Sequence, residues 1–482
     1  MEDFTPAVGT TYPNSTVTED GTTYFLIRLH DSHERMLGVR GNTDGFVSSR
    51  QLDDVTLCAL TPHNAAELRK RLAWLNPAPV GLQTSFGFGD RLGVATPGHI
   101  DSLRQSDPSG KIAAIFAQQS VRENIRTGRT PQQVMDFAMW GVFQTGWRER
   151  WGADADHIKE VEHLAPFAQA GYTFYTIDPS DHVDSAANAE ELGMLKDKLT
   201  GLAWDQLASS YDDMLARYCS EAIQLDELTL EFDEVTLARA LAKYGYALVH
   251  VTTIAGALTD LVKGKAYDLE MSVDETDTPT SIYEHYFIAN ELIRCGVPVV
   301  SLAPRFVGKF QKGVDYIGDI DEFERDFAKH AAIMRHFGSY KLSIHTGSDK
   351  FSLYPIIAQY TAGMTHVKTA GTSYLEALRV ASQSAPSLFM GMLDLAHARF
   401  PSDRKSYFLD CQPDKVPTSG QVALSELPTL LDEFHARQLL HVTYGSILDA
   451  FGEELDRLLN RHEEDYRAAL SLHFQRHIKP FI

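Results

Sequence analysis

From about residue 79 onward the chain repeats one pattern: an apolar strand, a polar or glycine-containing tip, a helix, and another strand. This alternation limits the fold more than any other feature, because parallel neighbours need crossover connections and helices supply them with one hand. Strand candidates are Val80–Phe88, Ile112–Gln118, Trp151–Asp156, Thr173–Asp178 and Ala247–Thr252. They continue with Ala266–Val273, Val297–Ala303, Leu342–His345 and His366–Lys368. Between them lie bounded helices: Ser281–Cys295 ends at Gly296, and Asp321–Phe337 opens on Asp-x-x-Glu and stops at Gly338. Eight or nine such units favour a closed barrel over an open doubly wound sheet. The expectation is therefore an α/β protein, a TIM-like (β/α)8 barrel with an N-terminal α/β addition and helical insertions. Nine candidates for eight places mean that one is an accessory strand or no strand at all.

Residues 1–78 read differently. Short β-like runs at Thr22–Leu29, Met36–Arg40 and Asp54–Leu60, then a helix at Ala65–Leu75, suggest a small α/β cap ahead of a barrel spanning 79–482. The stretch Ser180–Lys243 is too long for a simple crossover and is acidic and helical in pattern. It reads as an insert at about 180–243, either a lid or a contact between copies in a homo-oligomer. Pro401–Gly420 reads as a surface loop and Gly452–Gln475 as a terminal helix.

Net charge is −21, which disfavours nucleic acid and acidic membranes as partners. No window of about 18 apolar residues stands out, so no membrane span is expected. The first residues carry neither a basic region nor an apolar run, and the four cysteines show no paired metal spacing. A reducing cytoplasm is the expected compartment. The charge also sets a condition: an anionic substrate needs a local cluster of Lys and Arg.

In such a barrel the C-terminal ends of the strands converge on one site. The tip after Trp151 is Asp154-Ala-Asp156-His157-Ile-Lys159, which puts carboxylate, imidazole and ammonium within one turn. After Ala266, alternation puts Asp268, Glu270 and Ser272 on one face. Carboxylates inside a barrel are costly unless paired, protonated or bound to metal, which singles out Glu270. Asp274 and Glu275 read as a solvated turn, and Asp178 with His182 as a weaker tip. Arg305 suits a carboxylate, Gln311 offers a neutral oxygen, and His345 ends a strand ahead of Thr-Gly-Ser-Asp349-Lys350. A further tip, Lys368-Thr-Ala-Gly-Thr372, leads into a helix whose start is marked by a Ser373/Glu376 capping box. Histidine, carboxylate and amide oxygen from different strand ends suit a divalent cation such as Zn²⁺, Mn²⁺, Co²⁺ or Ni²⁺. Lys159, Arg305, Asp349, Lys350 and Lys368 are the substrate-binding candidates. Gly87-Phe-Gly89-Asp-Arg-Leu-Gly93 resembles a dinucleotide fingerprint, but Leu92 stands where glycine is needed. No phosphate-binding Gly-x-x-x-x-Gly-Lys loop occurs.

Six segments together resemble the tagaturonate epimerase family, sugar-acid epimerases of hexuronate breakdown. They are Ser85–His99, Trp151–Lys159, Thr176–His182, Phe310–Asp319, Tyr340–Ile356 and Lys368–Arg379. The resemblance implies a divalent-metal enzyme that interconverts D-tagaturonate and D-fructuronate, with relatives acting on tagatose and fructose. It also implies metal ligands at His157, His345 and Gln311, and acid/base carboxylates at Asp156 and Glu270. The inverted carbon lies one beyond the acidic α-carbon, so simple deprotonation there is poorly activated. Retro-aldol cleavage with re-addition to the other face is the expected route. A metal-dependent aldolase or ketol isomerase on a sugar acid or ketose is the alternative.

Overall fold

The computed structural model describes residues 8–225 and 227–482. Eight parallel strands close into a barrel: β1 (Ser85–Gly89), β2 (Ala113–Ser120), β3 (Trp151–Ile158), β4 (Phe174–Ile177), β5 (Asp268–Ser272), β6 (Val299–Ala303), β7 (Lys341–Ile344) and β8 (Thr365–Lys368). Their order around the barrel follows the chain, with β8 pairing back to β1. The (β/α)8 expectation therefore holds.

The ninth strand candidate does not. Ala247–Thr252 lies inside a helix, Glu234–Val262, capped at its start by Asp233. The run Ala-Leu-Val-His-Val-Thr is apolar and partly β-branched, and six residues are too few to show the helical spacing of buried Ala247, Leu248, Val251, Ile254, Ala255 and Leu258. That helix is also long and apolar enough to cross a membrane by length and composition, which corrects the reading that no such window exists. Here it packs against the helices Leu192–Leu199 and Ile282–Arg294, and its buried Lys243 pairs with Glu284 at 3.1 Å.

Ahead of the barrel, residues 9–59 form a six-stranded sheet in which every pairing is antiparallel. Strict alternation in Thr22–Leu29 divides its side chains. Tyr24 and Leu26 join the main core that runs through the barrel, whereas Phe25, Ile27 and Leu29 build a small separate cluster. Residues 180–233 are short helical turns, the helices Leu192–Leu199 and Tyr211–Tyr218, and a two-stranded ribbon. The expected terminal helix is two, Tyr444–Arg461 and Glu463–Ile478, broken at His462. The start of Pro401–Gly420 is not loop, because the helix Pro386–Asp403 continues through Pro401.

The Ser373/Glu376 capping box does not form. The helix Thr372–Ser384 is capped by Gly371 at φ +94°, where a side chain would collide with the His441 ring. Ser373 instead donates to the carbonyl of Gly89, and Glu376 pairs with Arg379.

Candidate active site

Two local features bring consecutive polar residues of β3 to the barrel mouth. Alternation puts Asp154 and Asp156 on the inner face, and would send His157 outward. Between β3 and β4, however, Tyr175 faces Ala155 while Ile177 faces Ile158, so β3 carries one extra residue. His157 absorbs that bulge with φ +51°, an unfavourable conformation for a non-glycine residue, and its ring stays at the site beside Asp156.

Lys368, at the end of β8, is the charge centre. Its ammonium lies 2.8 Å from Asp154, 2.7 Å from Asp156 and 3.0 Å from Glu270, and also reaches Thr176. Burial opposes its charge, but the three carboxylates overcome that and hold its pKa well above the ordinary value. The carboxylates respond differently. Asp154 is pushed up to about 7 by burial, against the pull of Lys368. For Asp156 and Glu270 burial also raises the pKa, but Lys368 and the neighbouring histidines win, and both stay below the usual carboxylate range.

The two histidines meet edge to face, with ring centres 5.0 Å apart. His157 gives Nδ1 to Asp178 at 2.9 Å, which fixes the ring and turns Nε2 toward Asp156, 3.8 Å away. His345 sits between two carboxylates, with Nε2 2.6 Å from Glu270 and Nδ1 3.1 Å from Asp274. Burial alone would strip both rings of their second proton. Asp156 and Asp178 instead lift His157 to about 10, and Asp274 and Glu270 lift His345 to about 9.

Asp156, His157 and His345 bring one ligand atom each within 4.8 Å of one another. Two imidazoles and a carboxylate, with more carboxylates behind them, match the donors of a borderline divalent cation. The Asp178–His157 contact is the usual outer support of a metal-bound imidazole. The donor set therefore fits the cation expected from the sequence. Beside it opens a cavity of about 410 Å³, lined by His345, Asp274, Arg305, Gln311, Lys312 and Tyr407 among others.

The remaining candidates separate. Glu270 is fully buried and all its acceptors are in use, since Ser301 and Thr176 add to Lys368 and His345. Gln311 lines the cavity, but its amide oxygen accepts from the Asp410 N–H and from Gln438, so it stands apart from the histidine pair. Lys159 pairs with Asp181 at 3.1 Å and with Asp178 at 3.9 Å. Arg305 lines the cavity and has no carboxylate partner among the described residues.

Asp349 and Lys350, expected to bind substrate, are engaged within the fold. Lys350 donates to the carbonyls of Gln311, Val314 and Ser348, and burial brings its pKa down to about 7. Asp349 is buried against Arg437, His473 and His477, tying the last helix to the loop after β7. Asp274, read as a solvated turn, is part of the site. Asp154 and Lys312 also belong to its surroundings and were not singled out. Asp154 shares the two-residue spacing with Asp156, a signal that the sequence did carry.

A sequence profile of the tagaturonate epimerase family matches residues 12–481. The tagaturonate/fructuronate epimerase of Thermotoga maritima is 40% identical over 479 residues, covering 97% of this chain and 96% of its own. Two crystal structures of the fructuronate-tagaturonate epimerase of Cohnella laeviribosi, native and with glycerol, superpose with a TM-score of 0.92 at 38% identity. Each match covers 98% of this chain and 96% of the other.

Proposed function

The chain belongs to the tagaturonate epimerase family and is an epimerase, and from that premise we propose that it interconverts D-tagaturonate and D-fructuronate by retro-aldol cleavage and re-addition. The observation that carries this reading is the Asp156–His157–His345 group, whose His345 lines a cavity large enough for a six-carbon acid. A divalent cation held by His157 and His345 would supply Lewis acidity toward the ketone and neighbouring hydroxyl oxygens, with Asp156 beside it left as the base. Gln311, engaged elsewhere, is left out of that ligand set.

The chain's own groups handle the proton. Numbering from the ketone as C2, Asp156 takes the proton of the C4 hydroxyl, the C3–C4 bond breaks, and its electron pair passes to the C1–C3 enediolate. The C4–C6 piece becomes an aldehyde that still bears the carboxylate. After the aldehyde turns its other face, the same bond re-forms and the proton returns to the new alkoxide. Asp274, on the opposite side of His345, is placed for that return. Glu270, expected to share this exchange, has no free acceptor; its role is to orient His345 and Lys368. A Schiff base at Lys368 is disfavoured because three carboxylates keep it protonated. A nicotinamide route is disfavoured because Asp90 occupies the N–H groups of Leu92, Gly93 and Ala95 in the glycine-containing loop.

Following hydrogen tests the mechanism. In retro-aldol epimerisation the C4–H bond is never broken, so turnover of tagaturonate in D₂O should give fructuronate without deuterium at C4, read by NMR. Deuterium at C4 would overturn the mechanism and leave the epimerase standing; a three-carbon end product would make the enzyme an aldolase. Tagatose and fructose, which differ at the same centre, are expected to interconvert more slowly. The four free cysteines suit a reducing cytoplasm.

Metal loading offers a second test. At pH 7 both rings of the metal-free protein hold their extra protons, so binding Mn²⁺ or Zn²⁺ should release close to two. Calorimetry in buffers of different ionisation enthalpy counts them; a release near zero would remove the histidines from the ligand set. The sign for stability follows from the raised values. The imidazolium contribution to the metal-free fold is complete below about pH 6.5 and is lost as pH rises through about 9 to 10.

A further inference from the structure

Around the barrel mouth nearly every cation already has an anion. Arg91 pairs with Glu123 at 2.7 Å, Arg122 with Glu275 at 2.8 Å, Lys309 with Asp410 at 2.9 Å, and Lys159 with Asp181 at 3.1 Å. Lys368 holds three carboxylates and Arg437 holds Asp349. Among the described residues, Lys312 and Arg305 line the cavity without a carboxylate within 4 Å. In a chain of net charge −21, two such cations on one wall of a cavity stand against the composition. Two of the cavity's own carboxylates are engaged, Asp274 with His345 and Glu275 with Arg122, while Asp277 lies exposed.

Of the two, Lys312 is fixed relative to the chemistry. Its ammonium donates to the Thr346 hydroxyl at 2.9 Å, and Thr346 follows His345 directly in a left-handed backbone conformation, φ +49°. That bond uses one of three N–H donors and meets a neutral acceptor. Two donors remain beside His345. In a keto-uronate the carboxylate carbon is four bonds from the ketone carbon, about 5 Å in an extended chain at ordinary bond geometry.

We infer that Lys312, braced by Thr346, binds the substrate carboxylate and is the pivot that keeps the C4–C6 aldehyde fragment in place while it turns. The inference rests on the retro-aldol reading for the pivot, and on the cavity alone for carboxylate binding. A single ammonium suits a pivot better than a guanidinium does, because a bidentate fork would fix the plane of the carboxylate. The C3–C4 bond breaks and re-forms with the same atoms and electrons, so no co-reactant is needed. What Lys312 adds is retention of a small, charged and otherwise diffusible aldehyde.

The test uses the metal-loaded protein, with galactonate and galactitol as probes, a sugar acid and a polyol that differ only in the carboxylate. The wild type should bind galactonate more tightly than galactitol. Lys312→Met should lose roughly 10- to 100-fold in galactonate affinity, the range for a charge-assisted contact, and less than about twofold for galactitol. Lys312→Arg should recover part of the loss. With tagaturonate, Lys312→Met should also release more three-carbon aldehyde acid, trapped by semicarbazide, than the wild type. Equal losses on both probes, an unchanged galactonate affinity, or no preference in the wild type would each overturn carboxylate binding. Unchanged aldehyde release with a selective galactonate loss would overturn the pivot alone. Failure of the wild type to epimerise tagaturonate would count against the function and leave the binding comparison intact.

Discussion

Replacing Lys368 by Met should abolish turnover and lower the stability of the barrel by about 3–5 kcal/mol, the range for removing one partner from a buried ion cluster. Asp154, Asp156 and Glu270 would then face one another in the barrel interior without the ammonium that joins all three. Against a total stability of roughly 5–15 kcal/mol the change is large, and because the chain is long the melting temperature should fall by about 3–5 °C. The variant should also reverse part of the acid response. In the wild type, Asp156 and Glu270 have lowered pKa values, so their contribution is present above the unfolded value near 4 and is lost as pH falls through the lower folded values. Without the ammonium those values rise, and the variant should gain stability as pH drops from 8 toward 5. Thermal melts across that range check it. A variant that melts like the wild type at every pH would show that the carboxylates are neutralised by something other than Lys368.

His157→Ala and His345→Ala should each lose most bound divalent cation and about 10³-fold or more in kcat/KM, since Lewis-acid stabilisation contributes several kcal/mol. Neither change should unfold the chain. His157→Ala keeps the bulge, whose left-handed backbone only glycine would relax, and loss of His345 leaves Glu270 still bound to Lys368, Ser301 and Thr176. Metal content must be measured beside the rate, because an outer residue such as Asp178 can shift affinity tenfold or more without touching the ion. Stoichiometric metal in either variant would remove that histidine from the ligand set.

The barrel was legible because its strands are short apolar runs ending in polar tips, and tips stand out against apolar surroundings. Asp156, His157, Glu270, His345 and Lys368 were all visible in that way. What escaped has physical reasons. Ala247–Thr252 reads as a strand because a six-residue apolar window is too short to show the helical period, which emerges only over Ala247–Val262. Gln311, Asp349 and Lys350 sit on the expected loops, but loop position says nothing about which hydrogen bonds a side chain makes, and theirs go to Gln438, Arg437 and backbone carbonyls. Asp274 looked solvated because the histidine that engages it arrives from 71 residues further along. Lys312 carries no local signal at all. Its distinction is the lack of a carboxylate partner, which only the folded arrangement of its neighbours can reveal.

The tether at Asp349 bears on the order of biosynthesis. All eight strands have been made once the ribosome has passed residue 368, yet the loop that follows His345 is held by Arg437, His473 and His477. Two of those three belong to the helix Glu463–Ile478, which is made well after the last barrel strand. A nascent chain can thus close its sheet while Asp349 is still an unpaired buried carboxylate. The segment after β7 therefore takes its final shape only when Glu463–Ile478 has docked on it, a later event than closure of the sheet.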